Sequence, residues 1–190
     1  MTIDMPNAFV QTSVPEDNEK IIMKIRGKLV DILLEIDEEK CKPFVCETEK
    51  GKILCVRIKK MLCGMLKSSI LCCKKFREDI EKVGYKVNPY DICVANKMVH
   101  GKQHTITWHV DDIKSSHVDP KVNDKFAEWC EKEYGSDKIG HVKAHRGKVH
   151  DYLGMNLDYT KKGVSQVEMK KHIKNMMNEH SHNIRINKTP

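Results

Sequence analysis

The chain has 190 residues, 39% of them hydrophobic and 32% charged, with a net charge of +7, enough for one ordinary domain with a buried core. No apolar run reaches the roughly eighteen residues of a membrane-spanning helix. The opening residues include Asp4, Glu16, Asp17 and Glu19 instead of a basic stretch followed by an apolar one, so no secretory leader is visible.

Charge is unevenly spread. Residues 1–49 balance to −5, residues 50–86 to +8 and residues 138–174 to +6. Clustered lysines suit a phosphate-bearing partner, because each displaces condensed counterions from a nucleic-acid backbone, and they equally suit a solvated helix face. Cysteines at 41, 46, 55, 63, 72, 73, 93 and 130 include no Cys-x-x-Cys, and a disulfide framework is not expected without a leader. His141, His145 and His150 lie close in sequence but lack a regular zinc spacing.

In chain order, Asp4 reads as the end of a short strand, and residues 15–18 as a turn. Ile21 to Ile36 fits either one helix or a strand followed by a helix, with Gly27 favouring a break. Lys50-Gly51 marks a turn before a strand from Ile53 to Ile58. The clearest helix spans about Met65 to Val83, with a stripe of Leu66, Ile70, Cys73, Phe76, Ile80 and Val83 and a stop at Gly84. Lys67, Lys74, Lys75 and Lys82 lie off that stripe.

Thr105 to Val110 alternates as a half-buried strand, placing Ile106, Trp108 and Val110 on the apolar face. Thr107, His109 and Asp111 then share the polar face, with Asp112 at a hairpin turn. A second helix is expected from Pro120 to Tyr134, capped by Asp119, started by proline and closed by Gly135, with Val122, Phe126 and Trp129 as core. Val142 to Lys148, Tyr152 to Tyr159 and Val164 to Met169 read as strands. A helix from Lys170 to Glu179 precedes a polar tail.

Adjacent carboxylates such as Asp111 and Asp112 repel unless solvent, a hydrogen bond or a cation compensates. Mg²⁺ suits such a pair, since it takes one or two carboxylates together with substrate phosphates. Asp favours turns on its own account, so the pair is also compatible with a plain hairpin.

A third carboxylate sits in a distinctive setting. Ile3-Asp4-Met5-Pro6-Asn7-Ala8-Phe9-Val10 resembles the "D-x-x-N-A-F-L" segment of copia-type retrotransposon reverse transcriptases, and Trp108-His109-Val110-Asp111-Asp112 resembles their catalytic hairpin. Leu62-Cys63-Gly64-Met65-Leu66-Lys67-Ser68-Ser69 is similar to "L-Y-G-L-K-Q-S-P". Asp91-Ile92-Cys93-Val94 is similar to "D-x-C-V", and Tyr152-Leu153-Gly154-Met155 to "Y-L-G-M". These motifs occur in the family's order and span residues 4 to 155.

The resemblance implies an α+β fold, a polymerase palm-like antiparallel sheet with helices packed on one face and partial fingers. Residues 1–169 would form the partial fingers and palm, and residues 170–190 a short helix and tail at the start of a thumb or connection. The implied activity is RNA-directed DNA polymerisation by nucleotidyl transfer, with two Mg²⁺ ions held by Asp4, Asp111 and Asp112. Of these, Asp4 and Asp111 would be the principal ligands, and Asp112 a supporting one. Phe9 would exclude a ribose 2′-hydroxyl, Lys67 would lie near the incoming nucleotide where the family commonly has Gln, and Leu153 and Gly154 would grip the primer.

Implied partners are an RNA or DNA template-primer, deoxynucleoside triphosphates, and integrase and RNase H segments of a parent polyprotein. No membrane partner is expected. The implied setting is intracellular, in cytoplasmic retrotransposon particles. With three residues before Asp4 and a short tail after Glu179, most of the fingers and thumb are expected to lie outside these residues, and primer extension by them alone is expected to be poor. Cys63 stands where the family usually has Tyr, and Cys72 or Cys73 where it has an aromatic. The alternative is therefore a non-catalytic basic nucleic-acid-binding module derived from a degenerate element copy.

Overall fold

A computed structural model describes residues 1–15 and 20–179. The chain runs β1 (Thr2–Asp4), β2 (Ile22–Arg26), α1 (Lys28–Ile36), α2 (Glu38–Cys41), β3 (Val45–Thr48) and β4 (Gly51–Arg57). It continues through α3 (Ser68–Lys82), β5 (Lys86–Val87), β6 (Val94–Val99), β7 (Lys102–His109), β8 (Asp112–Ser116) and α4 (Pro120–Tyr134). Next come β9 (Lys143–His145), β10 (Val149–Tyr152), β11 (Met155–Asp158), β12 (Gln166–Glu168) and α5 (Lys170–Glu179). The fold is mixed α+β with antiparallel sheets. It divides into two compact units, residues 9–68 and residues 1–8 with 69–190.

In the smaller unit, β2-β4-β3 form an antiparallel sheet. Gly27, at φ 68°, ends β2 and begins α1, so the run from Ile21 to Ile36 is a strand and then a helix. The β3–β4 turn is Glu49-Lys50, and Gly51 already belongs to the strand, paired with Thr48. The turn expected at 15–18 falls mostly on residues 16–19, outside the described ones.

The larger unit carries a six-stranded antiparallel sheet in the order β5-β6-β7-β8-β1-β9. Opposed residues share a face, so the pairs Ile106–Ser115, Trp108–Ile113 and Ile3–Ile113 set one face. Ile3, Ile106, Trp108 and Ile113 are buried there, as are Phe76 and Ile80 of α3 and Phe126 and Cys130 of α4. Phe76 meets Trp108 edge to face at 5.2 Å, and Phe126 stacks on Trp129 at 5.5 Å. Each fully buried large apolar side chain contributes about 1.5–3 kcal/mol.

Helix α4 has the expected bounds. Asp119 accepts the Lys121 N–H at 3.0 Å, a cap worth about 1 kcal/mol, and Pro120 occupies the first turn, where its missing N–H costs nothing.

Helix α3 differs from expectation. It begins at Ser68, Leu66 is 93% exposed and Ile70 68% exposed. The buried line is Cys72, Phe76 and Ile80, spaced four apart on one face. Ile70 lies about a third of a turn from that line.

The run from Val142 to Lys148 also divides. β9 ends at His145 and pairs with β1, whereas β10 begins at Val149 in a second sheet, β10-β11-β12. Gly147, at φ 141°, makes the break. Tyr152 closes β10, and the strand after the Leu153-Gly154 turn starts at Met155.

A polar chain crosses the helix side of the large sheet. His104 is fully buried, with Nδ1 2.7 Å from the Tyr85 hydroxyl and Nε2 2.7 Å from Ser115 Oγ. Ser115 donates its proton to Asn123 Oδ1 at 2.8 Å, so His104 must donate from Nε2 and accept from Tyr85 at Nδ1. Burial first, then His117 and Lys97, hold this imidazole down at about 4.

An unfolded chain binds the proton near pH 6.5, so the fold loses stability as pH falls from there toward 4. The expected loss is on the order of 3 kcal/mol. Urea unfolding at pH 7 and 4.5 should show it, and a His104→Phe variant should lose less over the same interval. Equal losses in the two proteins would disprove it.

Candidate functional site: a carboxylate cluster on the open sheet face

The face opposite the helices carries the chemistry. Asp4 lies directly across from Asp112, and Asp112 from His109. Residues so opposed have Cβ atoms about 4.5–5.5 Å apart. The Met5 N–H donates to the Asp111 carbonyl at 2.9 Å, which ties the end of β1 to the hairpin. Asp4, Asp111 and Asp112 are thus brought together, although 107 positions separate the first two in sequence.

Their roles in the hairpin differ from the alternation expected. β7 ends at His109 and β8 begins at Asp112, leaving Val110-Asp111 as a two-residue turn. Val110 is half-buried at φ 57°, not on the apolar face. Asp111 is an exposed turn residue, and Asp112 is the one on the strand face beside Asp4. Positive φ at only the first central residue is the pattern of a II′ turn, which normally takes glycine there. A β-branched residue in that conformation costs about 1–3 kcal/mol.

Asp112 is half-buried, and its carboxyl is raised above the usual range. Burial is the largest cause, followed by Asp111 and Asp4, with His109 opposing and Asp151 adding to the rise. Asp151 on β10 was not singled out from sequence. The signal was its position immediately before the Tyr152-Leu153-Gly154 motif. Lys143 of β9 lies across from Asp4 on the other side. That pairing joins distant segments and has no local signature.

The donor set is hard oxygen, which fits Mg²⁺, and the repulsion at Asp112 is one that a cation relieves. Among the described residues, no group of three or more His, Cys, Asp or Glu side chains is placed so that it could hold a metal ion. The carboxylates lie on neighbouring strands and a turn.

The other motif residues fall as follows. Asn7 has φ 48° and donates from Nδ2 to the Ile139 carbonyl at 2.8 Å, using asparagine's tolerance of that conformation. Phe9 is half-buried in a turn, not on a strand, and its carbonyl accepts the Thr12 N–H at 2.9 Å. Lys67 is exposed in the turn before α3. Both belong to the smaller unit. Leu153, at φ 53°, and Gly154, at φ 74°, form the two-residue β10–β11 turn, and an added Cβ at Gly154 would lie 3.1 Å from His172 Nδ1.

Of the histidines at 141–150, His141 binds Glu131 at 2.6 Å, while His145 and His150 pack edge to face at 5.3 Å. Tyr152 reaches over the open face, its hydroxyl 3.4 Å from Thr107 Oγ1.

Because Asp112 is raised in the fold, first by burial and then by its carboxylate neighbours, its charged form opposes folding at neutral pH, and the penalty fades as pH falls through the carboxylate range. Asp112→Asn should therefore raise the melting temperature at pH 7 and give a smaller gain at pH 4. A destabilised variant at pH 7 would show that Asp112 is held by favourable contacts instead.

No family model matches the chain, and no curated protein matches it. Among solved structures, apo telomerase from Candida tropicalis, truncated from its C-terminal domain, is similar at 15% identity with a TM-score of 0.38. The match covers 88% of this chain and 34% of that one, so this chain spans about a third of the telomerase chain's length.

Proposed function

We propose that the protein is the palm region of a copia-type reverse transcriptase, an RNA-directed DNA polymerase acting in intracellular retrotransposon particles. Residues 1–169 are read as palm with partial fingers, and 170–190 as the start of a thumb or connection. One observation carries the reading. The Asp of the first motif and the Asp pair of the hairpin, far apart in sequence, meet through the β1–β8 register. A shared cation accounts for such a cluster of like charges better than stability does.

In this reading Asp4, Asp111 and Asp112 hold two Mg²⁺ ions, which when bound stabilise the attacking and leaving oxygens of an in-line phosphoryl displacement. The chain's own residues orient the reactants. The open face, lined by Asp4, Asp112 and His109, receives the primer's 3′ end. The tight Leu153-Gly154 turn presents backbone to the primer strand. The family resemblance would give Phe9 the exclusion of a ribose 2′-hydroxyl and Lys67 a contact to nucleotide phosphates, and both residues belong to the smaller unit. Integrase and RNase H segments would be partners in the parent polyprotein.

The test is incorporation of deoxynucleotide on a primed RNA template with Mg²⁺ by a chain carrying restored upstream and downstream segments, since the bare chain is expected to extend a primer poorly. Asp4→Asn and Asp111→Asn should each lower it on the order of a hundredfold or more, and Phe9→Ala should admit ribonucleotides. A second readout does not need turnover. Mg²⁺ should raise the melting temperature of the wild-type protein and not that of Asp4→Asn. Incorporation indifferent to both aspartates, or equal Mg²⁺ shifts in both proteins, would overturn the assignment.

A second reading, a non-catalytic nucleic-acid-binding module from a degenerate copy, draws on the basic surface. Lys170, Lys171 and Lys174 of α5 line a polar cleft with Asp151 and Asn156. Lys75 is different in kind: it binds Asp79 at 2.7 Å and lies 4.5 Å over the Tyr134 ring, so it is structural.

Both readings expect binding to single-stranded or primed nucleic acid with a strong salt dependence, each phosphate contact adding about 0.7–0.9 to the slope of log affinity against log salt. Lys171→Glu with Lys174→Glu should flatten that slope. Affinity unchanged between roughly 50 and 200 mM salt would exclude a phosphate-tracking surface, and binding without Mg²⁺-dependent incorporation would favour the module.

A further inference from the structure

Two thiols meet beside the hairpin. Cys73 of α3 and Cys93, in the loop before β6, have their sulfurs 3.7 Å apart. Both are half-buried and reduced. They open into a cleft of about 410 Å³ whose wall includes Ile70, Arg77, His109 and Val110.

The Cys93 loop is held in place on both sides. Its N–H donates to Asp91 Oδ1 at 2.9 Å, and its carbonyl accepts the Trp108 N–H at 3.0 Å. Cys93 is thereby bonded to the strand residue immediately before His109, the partner of Asp112.

We infer that Cys73 and Cys93 form a redox-sensitive dithiol, oxidised by peroxide to a disulfide that links α3 to the loop supporting the carboxylate hairpin. The geometry needs a small movement, since the sulfurs must close from 3.7 Å to about 2.05 Å. The chemistry balances in two steps. The Cys73 thiolate attacks a peroxide oxygen, the O–O bond breaks, and the departing hydroxide takes up the thiol's proton to leave as water. The Cys93 sulfur then attacks the resulting sulfenic acid, the S–O bond breaks, and a second water leaves with the Cys93 proton. Two thiols are oxidised by two electrons and one peroxide is reduced.

The order follows from the environment. Burial first, then the hydrogen bond to Cys73, push the Cys93 thiol up to about 11, which makes it the resolving partner and not the first attacker. Cys41 and Cys55 are half-buried as well, but both belong to the smaller unit, whereas Cys73 and Cys93 lie in the larger one. Cys46 and Cys63 are exposed, and Cys130 is buried. Cys72, next in sequence to Cys73, is buried on the sheet side of α3. The inference does not rest on polymerase activity and holds equally for a binding module.

The experiment treats the reduced full chain with hydrogen peroxide, alkylates the remaining thiols and maps linked peptides by mass. A linkage between the Cys73 and Cys93 peptides should exceed every other pairing by about tenfold, because the two thiols are held at high effective concentration. It should be reversed by dithiothreitol, survive Cys72→Ala and vanish in Cys73→Ser and Cys93→Ala. Linkages scattered over Cys46 and Cys63, or a dominant linkage that survives Cys73→Ser and vanishes in Cys72→Ala, would overturn it. Wild-type mapping alone decides the matter if a variant folds poorly.

Discussion

The structure turns on a strand of three residues. β1 lies between β8 and β9, with Thr2 opposite Lys114, Ile3 opposite Ile113 and Asp4 opposite Asp112. Ser115 N–H donates to the Met1 carbonyl at 2.9 Å and Met5 N–H to that of Asp111, so the ladder continues past both ends of the strand. Ile3, 2% exposed, fixes which face points to the core. A slip of one residue would exchange Ile3 for Thr2 or Asp4, both polar. Burial of one isoleucine therefore decides that Asp4 emerges beside Asp112 on the open face.

That arrangement costs stability locally. Half-burial and neighbouring carboxylates raise Asp112, and Val110 occupies a conformation suited to glycine. The opposing contributions come from the other side of the same strands. Trp108 and Ile113, one residue inward from His109 and Asp112, are buried against α3 and α4. The alternation of a single hairpin thus separates a stabilising face from a strained, charged one. Unfavourable local features of this sort concentrate where a ligand compensates them.

Much of this was legible in the sequence where local chemistry decides. Helix α4 is announced by Asp119, Pro120 and Gly135, and β7 by the alternation of Ile106 and Trp108. The same alternation, carried back two residues, would have placed His104 in the core. Carried forward, it misplaced Val110, because the period does not reveal where a strand yields to a turn. In α3, hydropathy favoured Leu66 and Ile70, but small Cys72 faces the core and Ile70 does not. Size and packing against Trp108 chose the face. β1 is too short for any periodicity, so Asp4 was found by motif alone. Lys143 and Asp151 reach the site through long-range strand pairing and tertiary packing, which no local pattern contains.

The two faces of the large sheet also handle polar groups by opposite rules. On the helix side, Tyr85, His104, Ser115 and Asn123 bond in one direction along a closed chain, so a buried imidazole stays neutral at little cost. On the open side, Asp4, Asp111, Asp112 and Asp151 lie near one another, with Lys143 across from Asp4 and His109 across from Asp112, and solvent or a bound cation would ease their repulsion further. Ser115 pairs with Ile106 and lies three residues beyond Asp112 on the same strand, so both systems are carried by β8. The network on the helix side is complete within the protein and fixes the strand, whereas the carboxylates on its other face repel one another and raise Asp112.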